Sequence, residues 1–119
     1  MIFRNDIFSK HGYNVYSQHG EDGIIDCIRS LIGKENLNYK CCEFGAWDGV
    51  HFSNTFNLIK NKSYDAILIE SNKKKFKQLR QNIPAKNIIK LNQKVGFEKN
   101  SNLDSILREH AYPIDIDFV

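Results

Sequence analysis

Three short apolar runs, each followed by a stretch of helical periodicity, constrain the fold of this chain more than any other feature. The runs are "YKCCEF" (39–44), "YDAILIE" (64–70) and "NIIKLNQ" (87–93). Each has strand length and an apolar body, and each stops at a glycine or a polar group. Between them, "HFSNTFNLIKN" (51–61) sets Phe52, Phe56 and Ile59 at helical spacing with Leu58 alongside, predicting a helix that ends near Asn61. "NKKKFKQLRQNI" (72–83) puts Phe76, Leu79 and Ile83 on one side and cations on the other, and Pro84 closes it. "SNLDSILREHAY" (101–112) predicts another helix, with Ser101 and Asp104 spaced as a capping box and Pro113 just beyond. Ahead of the first strand, "EDGIIDCIRSLIG" (21–33) aligns Ile24, Ile25, Ile28, Leu31 and Ile32 on one helical face. Glu21 and Asp22 then complement the helix dipole, and Gly33 supplies the stop. "IDIDFV" (114–119) alternates as a strand.

Strand–helix alternation at this spacing implies a parallel sheet with right-handed crossovers. The expected class is α/β, a doubly wound parallel sheet that is incomplete: a helix, three strand–helix units and the start of a fourth strand. The sequence stops at Phe118 and Val119, inside an apolar strand with no helix to cover it. The expectation is therefore one partial domain, truncated at its C-terminus. An N-terminal segment and helix occupy 1–33, and a cofactor-binding half occupies 34–119. A length of 119 residues leaves room for one domain only.

Composition excludes several functional classes. A net charge of +3 is too mild to imply a nucleic-acid or membrane partner. No apolar run approaches the ~18 residues of a transmembrane helix, and polar residues interrupt the N-terminus where a signal peptide would need an apolar stretch. The cysteines are Cys27, Cys41 and Cys42. An odd count with two adjacent is no disulfide framework, so a cytoplasmic protein with reduced thiols is expected. Cys41 and Cys42 lack metal-knuckle spacing, and no metal is expected. On a strand they face opposite sides of the sheet as buried filler. The run Lys73, Lys74, Lys75, Lys77 and Arg80 is most simply a solvated helix face; without interleaved aromatics it does not predict nucleic-acid binding.

In open α/β sheets, ligands bind beyond the carboxyl ends of the strands, at the point where strand order reverses. The first strand ends in "EFGAWDGVH". Gly45 lets a backbone approach a ligand closely, and Gly49 suits a left-handed turn or tight packing at a helix start. Glu70 ends the second strand, where a carboxylate can accept from both hydroxyls of an adenosine ribose or, with Ser71 and Asn72, cap the next helix. Asn92 and Gln93 end the third strand, either within reach of a base edge or as ordinary loop residues. The G-x-G-x-x-G fingerprint is absent, since Trp47 stands at its second glycine, and there is no P-loop. Asp48 near Glu43 crowds acids into the turn, disfavouring a pyrophosphate and suiting a cationic ligand. S-adenosylmethionine fits: it carries a sulfonium, an α-ammonium and a ribose, and no phosphate. His11, His19, His51 and His110 are isolated in sequence, His51 being best placed to meet a substrate. Trp47 is open to two readings, a lid on the ligand or an anchor for the turn.

Together "YSQHGEDGII", "CCEFGAWDGVHFSNT", "YDAILIESN", "LNQKVG" and "LDSIL…IDIDFV" resemble the N-terminal half of FkbM-type S-adenosylmethionine-dependent methyltransferases. These belong to the class I, Rossmann-like methyltransferases, and "EFGAWDG" is the most specific shared element. The resemblance implies O-methylation of a sugar or small-molecule hydroxyl, so the partner is a small-molecule or glycan acceptor. It places Glu43, Gly45, Ala46, Asp48 and Gly49 around the methionine part of the cofactor, Glu70 on the ribose, and Asn92 or Gln93 near adenine. Ser53 and Thr55 fall at the start of the following helix, where they bind the cofactor carboxylate or cap the helix. Gln18, Glu21 and Asp22, in "SQHGED", fall where the family's N-terminal motif approaches the pocket. No catalytic base is identified; Asp117 is the nearest candidate, and its place at a strand entrance reads as structural. A non-catalytic nucleotide-fold fragment that pairs through its sheet edge is the alternative, with an NAD-dependent oxidoreductase behind it.

Overall fold

A computed structural model describes residues 9–113 and 115–119 of the chain. Residues 1–8 of the N-terminal segment and Ile114 of the predicted last strand lie outside the described residues. The fold is mixed α/β. In chain order the elements are α1 (Glu21–Ile32), β1 (Lys40–Phe44), α2 (Phe56–Asn61), β2 (Asp65–Ile69), α3 (Lys73–Asn82), β3 (Ile88–Leu91) and α4 (Leu103–Glu109).

The strands form a parallel sheet in the order β1-β2-β3. Phe44 pairs with Ile69 and Ile69 with Leu91, so the three carboxyl ends are level. The chain then returns to the other edge of β1. Cys42 N donates to the Phe118 carbonyl (2.9 Å), Asp117 N donates to the Lys40 carbonyl (2.9 Å), and Phe118 bridges Cys41 in parallel. Strand order therefore reverses at β1. Among the described residues, the predicted final strand amounts to this single bridge.

Alternation along the strands divides the core between the two faces of the sheet. Cys41, Ala66, Leu68 and Ile88 pack with Leu58, Tyr64, Leu79 and Ile83 on one face, where Ile25 of α1, Phe56 of α2 and Phe76 of α3 join them. Cys42, Ile67 and Ile69 pack with Ile106 and Leu107 of α4 and with Tyr112 on the other. The adjacent cysteines thus face opposite ways as expected, and both are fully buried. Loss of water around them pushes both thiols up, Cys42 to about 11. They remain protonated and inert at neutral pH.

Two helix boundaries differ from the sequence expectation. α2 begins at Phe56, not near His51, because Phe52 has a positive φ of 56° that no α-helix accommodates. The Ser53 hydroxyl accepts from Thr55 N (3.1 Å) and Phe56 N (3.0 Å) and so opens the helix there. α4 is capped by Asn102, whose side chain accepts from Ser105 N (2.9 Å), one residue later than the Ser101–Asp104 box predicted. Asn72 caps α3 in the same way through Lys75 N.

Candidate functional site

At the carboxyl end of β1, beside the returning 115–119 segment, lies a cleft of about 370 Å³. Glu21, Ile24 and Ile25 of α1 form one wall, and Asn54 and Thr55 at the entrance to α2 form another. Cys42, Glu43 and Phe44 line its base with Phe118 and Val119. It sits where strand order reverses, the position expected of a ligand site in an open parallel sheet. A second depression, lined by Asn102, Asp104, Ser105 and Arg108, is an open groove over the N-cap and first turns of α4.

The cleft is mostly apolar, with two acids, Glu21 and Glu43, on its lining. Among the described residues, no lysine, arginine or histidine lines it. Glu43 Oε1 accepts from the Ser53 hydroxyl (2.8 Å) and the Thr55 hydroxyl (2.5 Å), while Oε2 receives only a long contact from Asn54 N (3.4 Å). One oxygen therefore fixes the carboxylate, and the other has room for a stronger donor. Glu21 Oε1 accepts from His19 N (2.5 Å), which fixes its carboxylate on the α1 wall. Asp22, next to it, is buried, and its Oδ2 gathers Val15 N, Tyr16 N and Ser17 N at 2.7–2.9 Å. Its role is to hold the 13–20 segment onto α1. Tyr16 meets the Phe56 ring edge-on at 4.6 Å, so the same segment also braces α2.

The residues of "EFGAWDG" do not all share this cleft. Gly45 has φ 69°, and a side chain there would meet nothing within 4 Å, so its backbone is open to an approaching ligand. Gly49 has φ 84° and lies so close to α3 that a Cβ would come within 2.8 Å of Ile83 Cδ1; it serves packing. Ala46 is buried, and its N–H donates to the Ile69 carbonyl (3.1 Å). Asp48 is consumed by its own turn. Oδ1 accepts from Val50 N (3.0 Å) and His51 N (2.9 Å), and Oδ2 pairs with His51 Nδ1 (2.6 Å). Burial alone would raise the Asp48 carboxyl; the two amides and the His51 ring outweigh it and hold the group below its ordinary value. The Asp48 carbonyl accepts from Asn82 at the end of α3 (2.9 Å), so this half of the loop folds away onto α3.

Glu70 is 7% exposed, with Oε1 accepting from Trp47 N (2.7 Å) and Oε2 from Asn72 N (2.7 Å). It ties the turn after β1 to the start of α3, and each oxygen keeps one lone pair. Trp47 lies under Lys75, whose Nζ is 4.5 Å from the ring centroid, which supports the anchor reading of this residue. Asn92 donates to the Glu70 carbonyl (2.8 Å) and the Ser71 carbonyl (3.2 Å), tying β3's end to β2's. Gln93 is half-buried beside it. Gln18 is exposed and does not line the cleft; its carbonyl accepts from Asn14 (3.3 Å).

Of the residues expected to bind a cofactor, only Glu43 lines the cleft; Gly45 and Glu70 follow β1 and β2 just outside it. Sequence reasoning left out the apolar wall from Ile24, Ile25, Phe118 and Val119, because nothing in sequence spacing brings 24 and 118 to one place. Asp117 lies at the other end of the sheet: Oδ1 accepts from Asn38 N (3.1 Å), and Oδ2 from Tyr39 N (3.0 Å) and the Tyr64 hydroxyl (2.6 Å). It latches the 115–119 segment and does not itself line the cleft, though the next residue, Phe118, does. Among the described residues, no cluster of three or more His, Cys, Asp or Glu side chains could hold a metal ion, and no helix is long and apolar enough to cross a membrane. No protein-family model, curated protein or solved structure matches the chain.

Proposed function

We propose that this chain carries the cofactor-binding half of a Rossmann-like, S-adenosylmethionine-dependent methyltransferase, with the cleft beside β1 holding the cofactor. The observation that carries the reading is the cleft's lining: two carboxylates, an apolar floor and, among the described residues, no cation, at the strand-order reversal. A phosphate-bearing dinucleotide would meet repulsion there. A ligand with a sulfonium and an ammonium meets complementary charge. The helices on both faces and the reversal of strand order at β1 agree with a doubly wound sheet.

In this reading Glu43 Oε2 accepts from the ammonium, and Glu21 faces the same positive end. Gly45 admits the ligand over the sheet. Glu70, preset by its two amides, offers its remaining lone pairs to the ribose, and Asn92 and Gln93 border the base. Asp48, Gly49 and Ser53 shape the loop without touching the ligand. When bound, S-adenosylmethionine supplies a methyl carbon open to in-line attack by an acceptor hydroxyl of a sugar or small molecule. The chain's contribution is chiefly to position it.

Isothermal titration with S-adenosylhomocysteine tests the reading. Glu43→Gln keeps the acceptor for Ser53 and Thr55 and removes only the charge. It should weaken binding roughly 10-fold or more, the worth of a charge-assisted hydrogen bond. Absence of binding by the wild-type chain, or equal binding by Glu43→Gln, would sink the proposal.

A further inference from the structure

The walls of the cleft belong to α1 and to the entrance of α2, and one segment, residues 13–20, is fastened to both. On the α1 side, Asp22 accepts from the Val15, Tyr16 and Ser17 amides, and its own N–H donates to the Ser17 hydroxyl (3.1 Å). Gly23 N donates to the Tyr13 carbonyl (3.0 Å). The segment lies so close to the helix that a Cβ at Gly23 would come within 2.5 Å of Tyr13 N. On the α2 side Tyr16 supplies the attachment: its ring meets Phe56, and its hydroxyl accepts from Lys60 Nζ (3.0 Å). Asn14 closes the segment on itself by accepting from Gly20 N (2.5 Å) and the Ser17 hydroxyl (3.2 Å), so this strap has a shape of its own. α2, by contrast, has only six residues, too few to hold itself in place by its own hydrogen bonds.

We propose that the 13–20 strap is the clasp of the cleft: it sets the spacing of the α1 and α2 walls, with Tyr16 as the positioning residue. The strap need not touch a ligand to do this. Tyr16 holds Phe56, and Phe56 directly follows Thr55, one of the two hydroxyl groups that orient Glu43. At its other end the strap fixes Glu21 through His19 N. Both carboxylates of the lining are therefore aimed through the same segment. A ligand that spans the two walls and an intact strap strengthen each other, each by the same factor. That this ligand is S-adenosylmethionine rests on the methyl-transfer reading above; the clasp itself does not.

Amide hydrogen exchange on the full chain without ligand tests the clasp. The Thr55 and Phe56 amides, both bonded to the Ser53 hydroxyl, report on the α2 wall, and the amides of β2 report on global opening. Tyr16→Ala should speed exchange at Thr55 and Phe56 roughly 10-fold and leave β2 unchanged. Tyr16→Phe, which keeps the ring and loses only the Lys60 bond, should change it by about 3-fold or less. Asn14→Ala is the stricter variant, because Asn14 is exposed and its bonds lie within the strap. It should speed the same two amides by about 3-fold. Unchanged exchange at Thr55 and Phe56 in either alanine variant, or an equal rise across β2, overturns the proposal. Titration with S-adenosylhomocysteine reads the coupling: Tyr16→Ala should bind it roughly 10-fold more weakly, and equal affinity overturns the clasp. If the wild type does not bind S-adenosylhomocysteine, the methyl-transfer reading falls, and the exchange result still decides the clasp.

Discussion

The two ends of β1 each carry an acid from the same edge of the sheet, and they are built to opposite ends. At the amino end, Asp117 is filled by its own chain: two backbone amides and the Tyr64 hydroxyl take its oxygens, and Arg29 backs Tyr64 at 3.3 Å and Asp26 at 3.1 Å. Burial first, and the bond to Asp117 second, push the Tyr64 phenol well up, so it stays a donor. At the carboxyl end, Glu43 has one oxygen fixed and one almost unengaged, above a floor whose Phe44 is 50% exposed. Each acid receives three donors, and it becomes structural or available according to how they are shared between its two oxygens and how closely they approach. Residue type alone does not decide.

The largest expected effect comes from emptying the closed end. Asp117→Ala removes three hydrogen bonds to a charged acceptor and leaves the Tyr64 hydroxyl without its partner. It should cost about 3 kcal/mol in urea unfolding. Glu43→Ala, at the open end, should cost about 1 kcal/mol, since the Ser53 and Thr55 hydroxyls lie 3.4 Å apart and can bond each other, and Thr55 borders the cleft. Equal losses would erase the distinction between the two ends.

The two glycines of the turn after β1 sharpen the same contrast. Gly49→Ala combines a left-handed backbone with a clash against Ile83 and should destabilise by about 3 kcal/mol. Gly45→Ala has the backbone penalty without the clash, about 1 kcal/mol, yet it should weaken S-adenosylhomocysteine more than Gly49→Ala does. Denaturation midpoints and calorimetry on the two variants separate packing from ligand approach. The opposite order of affinities would move the site off Gly45.

Much of the fold was legible because the strands are buried on both faces and so read as unbroken apolar runs, such as "AILI" in β2. The start of α2 was not. Phe52, Phe56 and Ile59 have helical spacing, but spacing cannot report a left-handed φ at Phe52 or a serine that opens the helix later. Of the cleft, Glu43 was readable as an acid near a strand end; Glu70, read the same way, ties the turn after β1 to α3 and does not line the cleft. Asp48 has the same chemistry and sits in the most specific motif, but an aspartate can satisfy itself on amides two and three residues on, and here it does. The walls of the cleft depend on tertiary placement of α1 and of 118–119, which no local pattern encodes.

Asp48 makes that self-satisfaction measurable. Its folded carboxyl lies below the ordinary 3.8, so its stabilising contribution is complete above that value and is lost as pH falls through the lowered folded value. The stability gap between the wild type and Asp48→Asn, present at about pH 5, should therefore shrink toward about pH 2 in thermal unfolding. A gap that widens on acidification would mean that Asp48 is not held by the Val50 and His51 amides.

The smallest expected effect concerns the outward half of the turn. Trp47 is the only tryptophan in the chain, so its fluorescence reports on one place. Lys75→Ala removes the ammonium from its ring and should cost about 0.5 kcal/mol, with a shift in emission as the ring gains or loses water. If Trp47 anchors the turn, S-adenosylhomocysteine should leave its emission nearly unchanged in the wild type even with the ribose on Glu70, because the ring is held against Lys75 of α3. A large ligand-induced change would make Trp47 a lid, and would extend the open end of β1 across the whole loop to α3.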